Sequence, residues 1–253
     1  MTRLADDAFK SRFQALENRH IGKLSFQEVR RSVQALSSLY VERRRRIVRG
    51  SPLDGSGKRA AFAFFFGPLH FLLVREIVQA LEAEVPQGRP ILDLGCGTGV
   101  SGAAWSLSVE TAPRLIGVDR HPWALQECKW TYQQLGIQGL TRAVDLDTTP
   151  IAGKAAVIAA FTINELAPET RDRFRNKLLN PSRTGPVLVI EPIARPLTPW
   201  WDEWTRDCLA MGGREDEWRF RVNLPERLAL MDRAAGLDHR ELTARSLWLP
   251  VRP

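Results

Sequence analysis

Residues Pro90-Ile91-Leu92-Asp93-Leu94-Gly95-Cys96-Gly97-Thr98-Gly99 restrict the fold of this 253-residue chain more than any other stretch. The apolar run predicts a short buried strand, and the three alternating glycines predict a turn that opens a helix. Glycine tolerates positive φ and lets backbone come close to a bound molecule. Asp93 bears on the charge of that molecule. A carboxylate beside the turn repels a pyrophosphate and attracts an ammonium group. From here on, short apolar runs alternate with helical segments, the pattern of a parallel sheet covered by helices on both faces.

Two nucleotide readings compete for the turn. Gly97 to Gly102 also satisfies G-x-G-x-x-G, the dinucleotide fingerprint. In that version the first glycine closely follows the strand and the pyrophosphate sits on the helix N-terminus. Here Asp93 and an extra Gly-Cys precede Gly97. A second apolar run, Arg114 to Val118, ends in Asp119, and a carboxylate there accepts hydrogen bonds from ribose hydroxyls in either reading.

The Asp93 turn together with Asp119 resembles the class I S-adenosylmethionine (SAM) dependent methyltransferases. The resemblance implies SAM as cofactor, with Gly95, Gly97 and Gly99 under its methionine part, Asp93 serving its amino end and Asp119 its ribose. Arg120 stands where that family usually has an apolar residue, so its guanidinium stacks on adenine or points to solvent. Asp145 with Leu146 is the expected adenine contact, with Asp147 as the alternative; Asp147 reads equally as a turn or helix cap. The loop Phe161-Thr162-Ile163-Asn164-Glu165-Leu166 is expected over the methyl donor, Phe161 on the cofactor side. Asn164 and Glu165 are the catalytic candidates for touching substrate, or else an N-cap and first-turn acid before Pro168. Glu191, at the end of another apolar run, is expected to order this loop. The loop carries neither Asn/Asp-Pro-Pro-aromatic nor a cysteine nucleophile, and the sequence shows no obvious general base.

Composition narrows the setting. The net charge of +7 is uneven: residues 1–60 hold fourteen Lys/Arg against six Asp/Glu, and the rest is close to balanced. A concentrated basic segment predicts a polyanion partner, RNA first among them, contacted by Arg43, Arg44, Arg45, Arg46 and Arg49. The alternative is a solvated helix end with cations at the negative pole of its dipole. Three scattered cysteines predict a reducing, cytoplasmic setting and no metal site. No secretory signal is expected. The apolar run from Ala60 to Val74 is short for a membrane span and reads as a core helix broken at Gly67-Pro68.

The expected organisation is a basic helical segment, 1–58, followed by a methyltransferase domain, 59–253. In the first, helices are expected over 5–19 and 25–49, the second opened by a Ser25–Glu28 capping box. In the second, strands are expected at 90–94, 114–118, 140–144, 155–160 and 186–191. Helices are expected near 99–109, 122–135, 168–180, 199–211 and 224–235. Residues 237–253 read as two strands meeting near Ala244-Arg245, a terminal antiparallel hairpin on a Rossmann-like seven-stranded α/β sheet. Phe161 to Leu166, Leu188 to Pro192, and Leu36 to Tyr40 before the basic stretch resemble the mitochondrial-type small-ribosomal-subunit methyltransferase-like family and its bacterial relatives. That resemblance implies work on RNA or the small ribosomal subunit. A non-catalytic SAM-binding assembly factor and a small-molecule methyltransferase are the alternatives. The family's four-cysteine iron–sulfur site has no counterpart at Trp218-Arg219-Phe220, and three cysteines cannot supply it, so no cluster is expected.

Overall fold

Continuous apolar strands decide the centre of the molecule. In the computed structural model, which describes residues 3–21, 24–42, 53 and 55–251, strands β1 (Ile91–Leu94), β4 (Ala156–Ala160) and β5 (Val187–Glu191) are almost wholly buried. β2 (Leu115–Asp119) and β3 (Gly139–Ala143) flank them on one side. β6 (Arg214–Arg221) and β7 (Glu241–Leu249) complete a seven-stranded sheet of order β3-β2-β1-β4-β5-β7-β6. The first five strands pair in parallel, and β7 runs antiparallel to both β5 and β6.

Helices cover both faces. On one lie α5 (Val100–Ser106) and α6 (Pro122–Gln134), with Trp105 and Cys128 in the core. The N-terminal helices α1 (Arg3–Leu16) and α2 (Phe26–Glu42) share that core through Phe9, Phe13, Leu16, Val29, Val33 and Leu36. On the other face, α7 (Pro168–Leu178) and α8 (Trp201–Ala210) bury Phe174, Trp201 and Trp204. The predicted capping box forms: Ser25 N–H donates to Glu28 Oε2 at 2.7 Å, and Glu28 N–H to Ser25 Oγ at 3.3 Å. Arg43 to Arg46 and Arg49 lie outside the described residues.

Two expectations need correction. The helix expected to break at Gly67-Pro68 does not break. Helix α3 (Ser56–Ala61) passes through a π-helical turn, Phe62–Phe66, into α4 (Gly67–Ala80). Proline has no N–H to give the ladder, and the wider turn just before Pro68 absorbs the mismatch. By length and composition residues 56–80 could cross a bilayer, but they are mostly buried in this core. Nor do residues 237–253 form a hairpin by themselves. They supply one strand, β7, whose partner β6 lies upstream of helix α9 (Glu226–Ala234). β6 is an edge strand with half-buried residues only at alternate positions, and its charged sequence, REDEWRFR, masks that alternation.

Candidate functional site

The carboxyl ends of β1, β2, β4 and β5 converge on the glycine turn. Gly97 sits at φ +51°, in the left-handed region where a side chain is strained. A Cβ there would come within 3.3 Å of Phe62 Cε1, so the π-helical turn roofs the loop. Gly95 lies against Thr162, where a Cβ would clash at 2.4 Å. The Thr162 hydroxyl lies 3.1 Å from the carbonyls of both Leu94 and Ala160, stitching the β1 turn to the loop after β4. Nothing in the local sequence singles out Thr162; its role follows from β1 and β4 being sheet neighbours.

The two acids do different work. Asp119 accepts Gly97 N–H at Oδ2 (3.0 Å) and His121 N–H at Oδ1 (2.8 Å), tying the β2 end to the glycine turn and the start of α6. A carboxylate has about four acceptor positions, so capacity remains for ligand hydroxyls. Asp93 is 1% exposed and turned beneath the loop, its Oδ2 accepting Gly102 N–H in the first turn of α5 at 2.9 Å. Burial pushes its carboxyl up to about 7 against that hydrogen bond, and the nearby Asp119 charge adds to the rise.

The loop after β4 is held from two sides. Phe161 has φ 58°, rare for a bulky residue, and stacks on His70 of α4 with centroids 4.2 Å apart. Asn164 is not a helix N-cap: α7 starts at Pro168, and Asn164 lies in a short 3₁₀ turn, Ile163–Glu165. Its N–H donates to Glu191 Oε1 at 3.1 Å, and its Oδ1 accepts Trp200 Nε1–H at 3.0 Å. Those bonds fix the amide so that Nδ2 is left buried without a partner among the described residues. Glu191, fully buried, holds the loop as its place at the β5 end predicts. Glu165 is exposed.

The third-strand residues lie farther out. Asp145 is exposed and accepts Asp147 N–H at 3.1 Å, an Asx turn. Asp147 is committed to Arg173, whose Nη2 lies 2.6 Å from Oδ2. Leu146 packs on the core of the second face, and Arg120 is exposed. Among the described residues, no group of three or more His, Cys, Asp or Glu is arranged to hold a metal.

No protein-family profile matches the chain. Carboxy-S-adenosyl-L-methionine synthase of Sodalis glossinidius (strain morsitans) is 28% identical over 106 residues, 41% of this chain and 43% of that protein. The chain thus matches less than half the length of that relative. The solved CurJ carbon methyltransferase superposes with a TM-score of 0.50 over 95% of this chain and 71% of its own, at 12% identity. Magnesium protoporphyrin IX methyltransferase (ChlM) from Synechocystis PCC 6803, solved with bound SAM, gives 0.48 over 88% and 97%, at 14% identity. The chain has the class I SAM-dependent methyltransferase fold, and SAM is the cofactor that goes with that fold.

Proposed function

We propose that the crevice at the carboxyl ends of β1, β2 and β4 binds SAM, and that the chain transfers a methyl group to RNA or a ribosomal particle. The observation that carries the cofactor reading is the cradle itself. A left-handed glycine turn is tied to Asp119 at its base and covered by Phe62, whose ring would lie 3.3 Å from a Cβ at Gly97. The donor set suits an amino-acid nucleoside. Gly95, Gly97 and Gly99 supply backbone, Asp119 supplies acceptors for ribose hydroxyls, and Asp93, where it is ionised above about pH 7, places negative potential under the turn. A pyrophosphate would meet two carboxylates there. Bound SAM supplies a sulfonium-activated methyl group, and positioning alone lowers much of the barrier to its displacement. Thr162 and Glu191 hold the loop that faces this chemistry, and Asn164 is fixed in it between Glu191 and Trp200.

The RNA reading rests on charge: the excess of basic residues is confined to residues 1–60. Calorimetric titration with SAM, S-adenosylhomocysteine and NAD(H) tests the cofactor; the first two are expected to bind, and binding of NAD(H) alone would reverse the assignment. RNA affinity is expected to fall steeply with salt. Arg43, Arg44, Arg45 and Arg46 replaced by Gln should reduce the log–log slope by about 0.7–0.9 for each phosphate left without its arginine. An unchanged slope removes RNA as the partner of this segment. Labelled methyl transfer to small-subunit RNA then separates an enzyme from an assembly factor that binds SAM without turnover.

A further inference from the structure

We propose that His239, oriented by Asp232, is the proton acceptor of this crevice, and that the methyl acceptor is a group whose attacking atom carries a proton. This inference rests on the SAM reading of the site. His239 lies in the connection between α9 and β7, and Asp232 lies on α9. His239 Nδ1 is 2.5 Å from Asp232 Oδ1, and His239 N–H donates to Asp232 Oδ2 at 2.8 Å. A carboxylate only accepts, so Nδ1 is the ring donor, and in the neutral imidazole that leaves the lone pair on Nε2. The Asp232 side chain is 4% exposed and that of His239 is 31% exposed, a buried orienting group behind an accessible base. The backbone bond alone would anchor the loop; the second bond, to the ring, fixes a tautomer.

The fold brings this pair to the methyl-donor end of the sheet. β7 is antiparallel to β5, and Arg245 pairs with Glu191 at the carboxyl end of β5. Residues before Arg245 therefore run past the β5 end on the same side as the glycine turn. The His239 ring packs edge-on against Phe65 at 5.6 Å, and Phe65 belongs to the π-helical roof. His70, one turn farther along the same helical segment, stacks on Phe161 at the end of β4. The two histidines lie close enough that His239 depresses His70, which burial chiefly pushes down to about 4. His70 is thus neutral at physiological pH and packs against Phe161 at the end of β4.

The step balances without a co-reactant beyond the methyl donor. The acceptor atom loses its proton to His239 Nε2, and its electron pair forms the bond to the methyl carbon. The carbon–sulfur pair stays on sulfur, leaving a thioether, and the imidazolium formed is stabilised by Asp232. The charged or titratable groups around His239 are Asp232 from α9, His70 from α4, and Asp238 and Arg240 beside it. The last two pair with each other at 2.6 Å.

Histidine NMR on the full chain tests this without a methyl acceptor. SAM and S-adenosylhomocysteine differ by the positive sulfonium, so only SAM puts a cation where the methyl sits. With both ligands bound, as calorimetry verifies, the His239 titration is expected to lie at least about half a pH unit lower with SAM than with S-adenosylhomocysteine. His239→Gln assigns the resonance, and His20→Gln, His70→Gln and His121→Gln assign it by elimination if that variant does not fold. Equal titration with both ligands bound overturns the proposal and leaves the SAM site intact; failure of both ligands to bind overturns the site reading instead. Asp232→Asn should move the His239 nitrogen shifts toward the other tautomer. Unchanged shifts remove Asp232 as the orienting partner.

Discussion

At the scale of single residues, burial reverses the simplest reading of an acid. Asp93 is legible in the sequence as a carboxylate beside a ligand turn, but its 1% exposure and its bond to Gly102 N–H are tertiary facts. Its carboxyl, raised from 3.8 to about 7, stays protonated in the folded chain over a range where the unfolded chain has lost the proton. Its contribution to stability is therefore full below about pH 4 and is lost as pH rises through 7, about 4 kcal/mol over the whole range. Asp93→Asn removes that loss, so its thermal midpoint should exceed that of the wild type at pH 8 and approach it at pH 4. The same substitution should weaken SAM by about 1–3 kcal/mol, read by calorimetry at pH 8, because the negative potential under the turn is gone. Thr162→Val tests the other buried contact. Stripping the hydroxyl from the Leu94 and Ala160 carbonyls should lower urea stability by about 1–3 kcal/mol.

At the scale of elements, the helix signals were legible wherever chemistry was local. Ser25 and Glu28 announce the start of α2 because each satisfies the other's neighbouring N–H. Ser25→Ala should cost about 1 kcal/mol in urea denaturation. The docking on α6 of α1 and of the π-helical turn that follows it, Glu17–Ile21, was not legible, because it joins residues over a hundred positions apart. Glu127 of α6 is almost buried and takes Arg19 Nη2 at 2.8 Å and His20 Nε2 at 2.9 Å, while Arg12 bonds Thr131 Oγ1 at 3.0 Å. Burial works to raise the Glu127 carboxyl, but the hydrogen bonds and charges of His20 and Arg19 hold it below its ordinary value. Its stabilisation is present above the ordinary glutamate range and is lost as pH falls through the depressed value. Glu127→Ala leaves Arg19 and His20 without their carboxylate, and about 2–3 kcal/mol of stability should go with it, below the cost of a fully buried pair because Arg19 is 39% exposed. A urea midpoint shift of less than about 1 kcal/mol would mean that the cluster is solvated.

At the scale of the whole molecule, the N-terminal helices and the sheet domain share one hydrophobic core. Phe9 stacks on Phe71 at 4.9 Å and Phe13 on Phe64 at 5.1 Å, joining α1 to the helical segment that roofs the glycine turn. A chain truncated to residues 59–253 would expose Phe71 and Phe64, which α1 otherwise covers, along with the surface that receives α2. It is expected to bind a hydrophobic dye and to self-associate more than the full chain under the same conditions; a monomeric, dye-free fragment would mean that the sheet domain stands alone.

The central sheet, the glycine turn and the acids at the ends of β1, β2 and β5 can be read from the linear sequence. Continuous apolar strands and positive-φ glycines have local physical causes that a linear reading captures. Tertiary structure alone decided that β6, outwardly a charged stretch, is the edge strand and that β7 inserts beside β5, because an edge buries only half of its residues. It alone brought Asp232 and His239 beside a roof built from residues 62–70. A base becomes recognisable only through its neighbours, and these come from the Phe62–Phe66 turn, α4 and α9, segments that no spacing rule connects.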